Sequence, residues 1–108
     1  MIYIAAPYGD PHKPIIEYRI HKVEEYLAYL MFKGEHAISP LLMHHVLNKG
    51  FNLPNDFKFW GNYCLSLLKR CDKMIVLKLD GWVGARGVGE EILFCNANDI
   101  PVEFREPL

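Results

Sequence analysis

Two adjacent carboxylates, Glu90 and Glu91, close a glycine-rich stretch that runs Asp80-Gly81-Trp82-Val83-Gly84-Ala85-Arg86-Gly87-Val88-Gly89. An apolar run, Lys73 to Leu79, precedes it, and a helix-like run, Val88 to Ala97, follows. A strand that ends in such a loop and opens a helix is a ligand-site geometry of α/β proteins. Gly87 and Gly89 let the backbone turn sharply and approach a ligand. The first helical turn offers free N–H groups and the positive end of the helix dipole, which are expected to hold a glutamate ionised. An ionised carboxylate at a pocket wall is what a carboxylate nucleophile must be. Helical phase groups Glu91 with Val88, Ile92 and Cys95, a face expected to turn towards a sheet, and Glu90 with Leu93, Phe94 and Ala97. On residues alone Glu91 has two readings: a nucleophile, or a first-turn glutamate stabilised by the dipole and nothing more.

Other residues with chemistry in them also have two readings each. Tyr3 is a good strand former, and its hydroxyl, if buried, needs a partner such as a carboxylate. Asp72 either shapes a turn before the strand or assists proton transfer. Trp82 either stacks on a flat ligand or packs locally. Pro7, Tyr8, Asp10 and Asp80 fall in loops expected at the ligand end. His44 and His45 are adjacent, so they lack the i, i+4 spacing of a helical metal pair, and no metal site is expected. His44 is placed at the pocket because Ser39-Pro40-Leu41 leaves the second strand on the same edge. Cys64, Cys71 and Cys95 read as small core residues.

The elements that must position these groups follow the chain. Ile2 to Ala6 is a short apolar run ended by Pro7, which suits a strand buried on both faces. A helix is expected from about Pro14. Its stripe is Ile16, Ile20, Val23, Leu27, Leu30 and Met31, and Gly34 is its stop. Glu35 to Ser39 reads as a second strand closed by Pro40, and Leu41 to Asn48 as a short helix ended by Gly50. Asn52-Leu53-Pro54-Asn55 reads as a turn and a helix start. The stripe Phe57, Gly61, Cys64, Leu65, Leu68 and Cys71 marks that helix, and Met74 to Leu77 is the clearest buried strand. Ile100 to Phe104 is a final strand that Pro101 confines to an edge or to a strand's first residue. The order predicts one domain over residues 1–108, an α/β fold. The sheet is expected to be a small flavodoxin-like or Rossmann-like open parallel sheet of about four strands, with helices on both faces. The loops after Ala6 and after Leu79 are then expected side by side, at the carboxyl ends of the strands.

Composition narrows the function classes. The chain has 108 residues, half of them apolar, and a net charge of −1. Its basic residues are scattered, so a nucleic-acid or anionic-membrane surface has no electrostatic support. No apolar run reaches the roughly 20 residues of a membrane span, and the N-terminus lacks the pattern of a signal peptide. Three cysteines without a Cys-x-x-Cys pair point to a reduced, cytoplasmic protein.

Taken in order, three segments resemble the nucleoside 2-deoxyribosyltransferase-like superfamily, which includes nucleoside deoxyribosyltransferases and 2′-deoxynucleoside 5′-phosphate N-hydrolases. Ile2-Tyr3-Ile4-Ala5-Ala6-Pro7 is similar to its opening strand, Cys71-Asp72-Lys73-Met74-Ile75-Val76-Leu77 to its third, and Gly87-Val88-Gly89-Glu90-Glu91-Ile92 to its nucleophile segment. The resemblance covers almost the whole chain and implies cleavage or transfer at an N-glycosidic bond. In that family the glutamate, here Glu91, attacks the anomeric carbon of a (deoxy)ribosyl group, and water or a second base then takes the sugar. It implies further that Asp72 assists at the base, that Tyr3 orients the glutamate, that no cofactor is needed and that the chain forms a homodimer. Six residues before Glu91 the family carries aspartate in transferases or serine in nucleotide hydrolases, and this chain has Ala85. Arg86, with Arg19 as a second candidate, is therefore read as a phosphate ligand in its place. The same departure keeps an alternative in view, a nucleotide-binding module of this fold without turnover.

Overall fold

The computed structural model describes residues 1–54 and 56–108. Strand β1 (Ile2–Ala5) leads through a loop into helix α1 (Lys13–Phe32), followed by β2 (Ala37–Ile38), α2 (Pro40–Phe51) and α3 (Phe57–Leu68). Then come β3 (Lys73–Leu77), α4 (Arg86–Ala97) and β4 (Val102–Arg105). The strands form one parallel sheet in the order β2-β1-β3-β4. Connections leave β1 towards one edge and β3 towards the other, so the strand order reverses between these two neighbours. The expected α/β fold with an open, all-parallel sheet is therefore the one observed.

Alternation along the two central strands builds a core on each face. Tyr3, Ala5, Met74 and Val76 point to one side, where Leu68 of α3 and Val88 and Cys95 of α4 cover them. Ile4, Ala6, Ile75 and Leu77 point to the other, against Val23, Tyr26 and Leu30 of α1, with Leu41 and Leu42 of α2 beside them. Helix ends follow local chemistry. Gly34 has φ +80°, and the Glu35 N–H returns to the Leu30 carbonyl, the left-handed stop expected there. α2 runs through Gly50 and ends instead at Asn52, whose φ of 49° is the left-handed conformation that asparagine tolerates. The expected turn includes Asn55, which lies outside the described residues. α3 begins after Asp56, whose carboxylate accepts from the Phe59 N–H at 2.8 Å. β4 is an edge strand that starts just after Pro101, as that proline requires.

Candidate functional site

The loops that follow β1 and β3 meet where the strand order reverses, and Arg19 ties them together. Its guanidinium donates to the carbonyls of Tyr8 (3.3 Å) and Gly9 (2.9 Å) in the first loop and of Asp80 (2.9 Å) in the second. Gly81 is fixed in kind by this knot. Its φ is +93°, and a Cβ there would lie 2.8 Å from Arg19 Nη2. Above the knot opens a cleft of about 710 Å³, large enough for a nucleotide-sized ligand.

The floor of the cleft carries a phenol–carboxylate pair. Tyr3, 1% exposed, projects from β1 and donates its hydroxyl hydrogen bond to a Glu91 carboxylate oxygen. Burial pushes the Glu91 carboxyl up to about 7, against the opposing pull of the Tyr3 hydrogen bond. The expected full ionisation by the helix dipole is thereby corrected. α4 starts at Arg86, so Glu91 is its sixth residue, and there is no acidic residue in its first turn. The dipole falls off beyond that turn, and desolvation decides the balance. Burial raises the Tyr3 phenol far above its ordinary range, and the Glu91 charge adds to it. Cys64 of α3 completes the floor. Burial, with Glu91 second, pushes its thiol up to about 11, so it remains a neutral thiol.

One wall is aromatic. His44 stacks on Trp60 with ring centroids 4.0 Å apart and planes 16° from parallel, and Tyr8 lies 5.0 Å from His44. Trp60 is held by its indole N–H, which donates to the Pro54 carbonyl at 2.7 Å. A cation also lines the cleft. Arg86 lies with its guanidinium carbon 4.4 Å from the centre of the Phe57 ring. Arg86, Gly87 and Val88 open α4, and the helix's own ladder begins at Gly89, whose N–H returns to the Ala85 carbonyl at 3.0 Å. Their N–H groups belong to the first turn, which has no intrahelical acceptor.

Of the residues expected at the site, Tyr3, Glu91 and the loop residues Pro7, Tyr8 and Asp10 line this cleft. So do Arg19, His44, Arg86 and Gly87. Asp72 does not. It precedes β3, at the amino ends of the strands and so at the opposite end of the sheet from the cleft, and its exposed carboxylate pairs with the N-terminal ammonium of Met1. It is corrected from a base-side acid to a surface ion pair. Trp82 is also outside the cleft, packed on Phe104 at 5.5 Å, which is the local-packing reading. Asp80 contributes its carbonyl to the Arg19 knot, its side chain is exposed, and Gly89 lies within α4 away from the lining. Arg19 lines the rim but gives three of its N–H donors to backbone carbonyls, which makes it a brace for the loops before it is a phosphate ligand.

The sequence reading missed Trp60 and took Phe57, Gly61 and Cys64 as a core stripe. A signal was present: a stripe holding a glycine and a cysteine leaves room that a filled core does not. A Cβ at Gly61 would lie 3.1 Å from the Phe57 ring, which would have to give way by a few tenths of an ångström. Among the described residues no group of three or more His, Cys, Asp or Glu side chains is placed to hold a metal ion, and no helix is long and apolar enough to cross a membrane.

No curated protein matches the chain. A family model does match, over residues 1–106, and the chain belongs to that family, DUF1937, a domain of unknown function.

Proposed function

We propose that this protein cleaves or transfers at the N-glycosidic bond of a (deoxy)nucleoside or nucleoside 5′-monophosphate, with Glu91 as the nucleophile. The observation that carries the proposal is the Glu91 carboxylate, held by the Tyr3 hydroxyl at the floor of a cleft whose wall is a His44–Trp60 stack. A flat base lies against the aromatic wall, which puts the sugar over the floor. The ionised fraction of Glu91 attacks the anomeric carbon, the C–N bond breaks, and an ester to Glu91 forms; water or a second base then releases the sugar with retention. Tyr3 fixes which carboxylate oxygen faces the sugar. Arg86 and the first turn of α4 meet a 5′-phosphate when one is present. The same reading makes the ligand a small molecule and places the chain in the cytoplasm, in keeping with three free thiols. It also makes the chain a homodimer through the α4 face that leaves Leu93 65% exposed. Sedimentation of the wild type and Leu93→Glu checks that last part.

The test is chromatographic detection of free base after incubation with 2′-deoxynucleosides and their 5′-monophosphates. Base release by the wild type and a loss of at least about 10³-fold in Glu91→Ala are expected. Silence across the panel, or full activity in the variant, sinks the proposal. The exposed position of Asp72 favours a second reading, a nucleotide-binding module without turnover, because the acid expected at the base is not in the cleft. A rise in Tm with nucleoside monophosphate but no base release selects it.

A further inference from the structure

Displacement of Asp72 leaves the departing base in need of a proton, and the cleft has a different source of one. Tyr8 lines the main cleft and also a side hollow of about 200 Å³ between α1 and α2. Its hydroxyl shares a 2.9 Å hydrogen bond with His45 Nδ1. The other ring nitrogen, Nε2, is enclosed without a hydrogen-bond partner among the described residues, with a Glu17 carboxylate oxygen 3.7 Å away. Glu17 of α1, His45 of α2 and Tyr8 of the loop after β1 thus follow one another around the side hollow, and Tyr8 also lines the cleft. Facing His45 are Glu17 and Lys13 of α1, Lys49 of its own helix and Tyr8. Lys49 lies 3.4 Å from the second Glu17 oxygen and helps hold that carboxyl below its usual range. Glu17 is then an anion beside the His45 ring.

We propose that Tyr8 is the proton donor to the leaving base, resupplied by His45, with Glu17 as the positioning residue behind them. The inference rests on the glycosidic reading above. As the C–N bond breaks and its electron pair passes to the base, the Tyr8 O–H proton moves to a base nitrogen and the His45 Nδ1 proton moves to the Tyr8 oxygen. No phenolate accumulates. When water then attacks the glycosyl ester, its proton is released to solvent or returned to His45, so the balance over both steps is nucleoside plus water to base plus sugar. The placement fits the roles. Tyr8 belongs to the aromatic wall that the base lies against, and the phenol–carboxylate pair belongs to the sugar. A phenol that gives up its proton needs a neighbour to restore it, and a histidine ring in direct hydrogen-bond contact can do so.

Two substrates separate this role from a structural one. Deoxyguanosine needs a proton on its base, while 7-methyl-deoxyguanosine carries a cationic base that leaves without one. Tyr8→Phe is expected to slow release from the first by roughly 10²- to 10⁴-fold and from the second by less than about threefold. His45→Gln is expected to follow the same pattern more weakly. Retained release from the methylated nucleoside shows that each variant is folded. Equal losses on both substrates, or no loss on deoxyguanosine, overturn the role of Tyr8 and leave the glycosidic reading standing. No release of either base by the wild type overturns both.

Discussion

The Glu91–Tyr3 pair sets opposite demands on stability and on chemistry. The folded protein holds a proton on Glu91 up to about 7, against an ordinary carboxyl value of 4.5. Between those values the folded state binds more protons than the unfolded one, so stability falls as pH rises through the window and levels off above it. Keeping the side chain ionised at about pH 8 costs roughly 3 kcal/mol. Urea denaturation of Glu91→Gln should show parity with the wild type near about pH 4 and a gain of up to roughly 3 kcal/mol near about pH 8. Catalysis runs the other way: kcat/KM of the wild type is expected to rise with pH through about 7, as the nucleophile ionises. Tyr3→Phe removes the hydrogen bond that lowers the Glu91 value, so this acid limb moves to higher pH, with a fall of about tenfold near neutrality. An unmoved limb in Tyr3→Phe contradicts the pairing.

At the scale of elements, the glycines divide by what surrounds them. Gly81→Ala is expected to cost about 1–3 kcal/mol, because φ is +93° and the new methyl meets the Arg19 brace. Gly89→Ala is expected to gain about 0.5–1 kcal/mol, since Gly89 is helical and open space surrounds it. Chemical denaturation of the pair reads both signs, and base release should survive Gly89→Ala. Much at this scale was legible in the sequence. The apolar runs marked β1 and β3, Gly34 marked the end of α1, and Pro101 marked the edge strand. The misplacements have physical causes. Gly50 was read as a stop, but a glycine is only a weak helix breaker, and the left-handed residue is Asn52. The apolar pattern of α4 begins only at Val88, because Arg86 and Gly87 carry none, and those two residues move Glu91 out of the first turn.

The whole molecule settles which end of the sheet each residue occupies. Parallel strands send the residue before every strand to one end of the sheet and the loop after it to the other. Asp72, immediately before Lys73, was therefore bound for the end opposite the cleft, a consequence of strand direction that the local motif does not carry. The reversal of strand order between β1 and β3 was readable from the order of elements, and it opens the cleft where the two loops meet. The His44–Trp60 wall was not readable, because it joins α2 and α3 through a contact that no periodicity encodes. The most direct measurement is peptide mapping by mass spectrometry after incubation with a 2′-fluorinated nucleoside, whose electron-poor sugar slows release from an enzyme ester. The account predicts a fluororibosyl ester on Glu91 and its absence in Glu91→Gln. Base release without an ester on Glu91, or an ester on another residue, would contradict it.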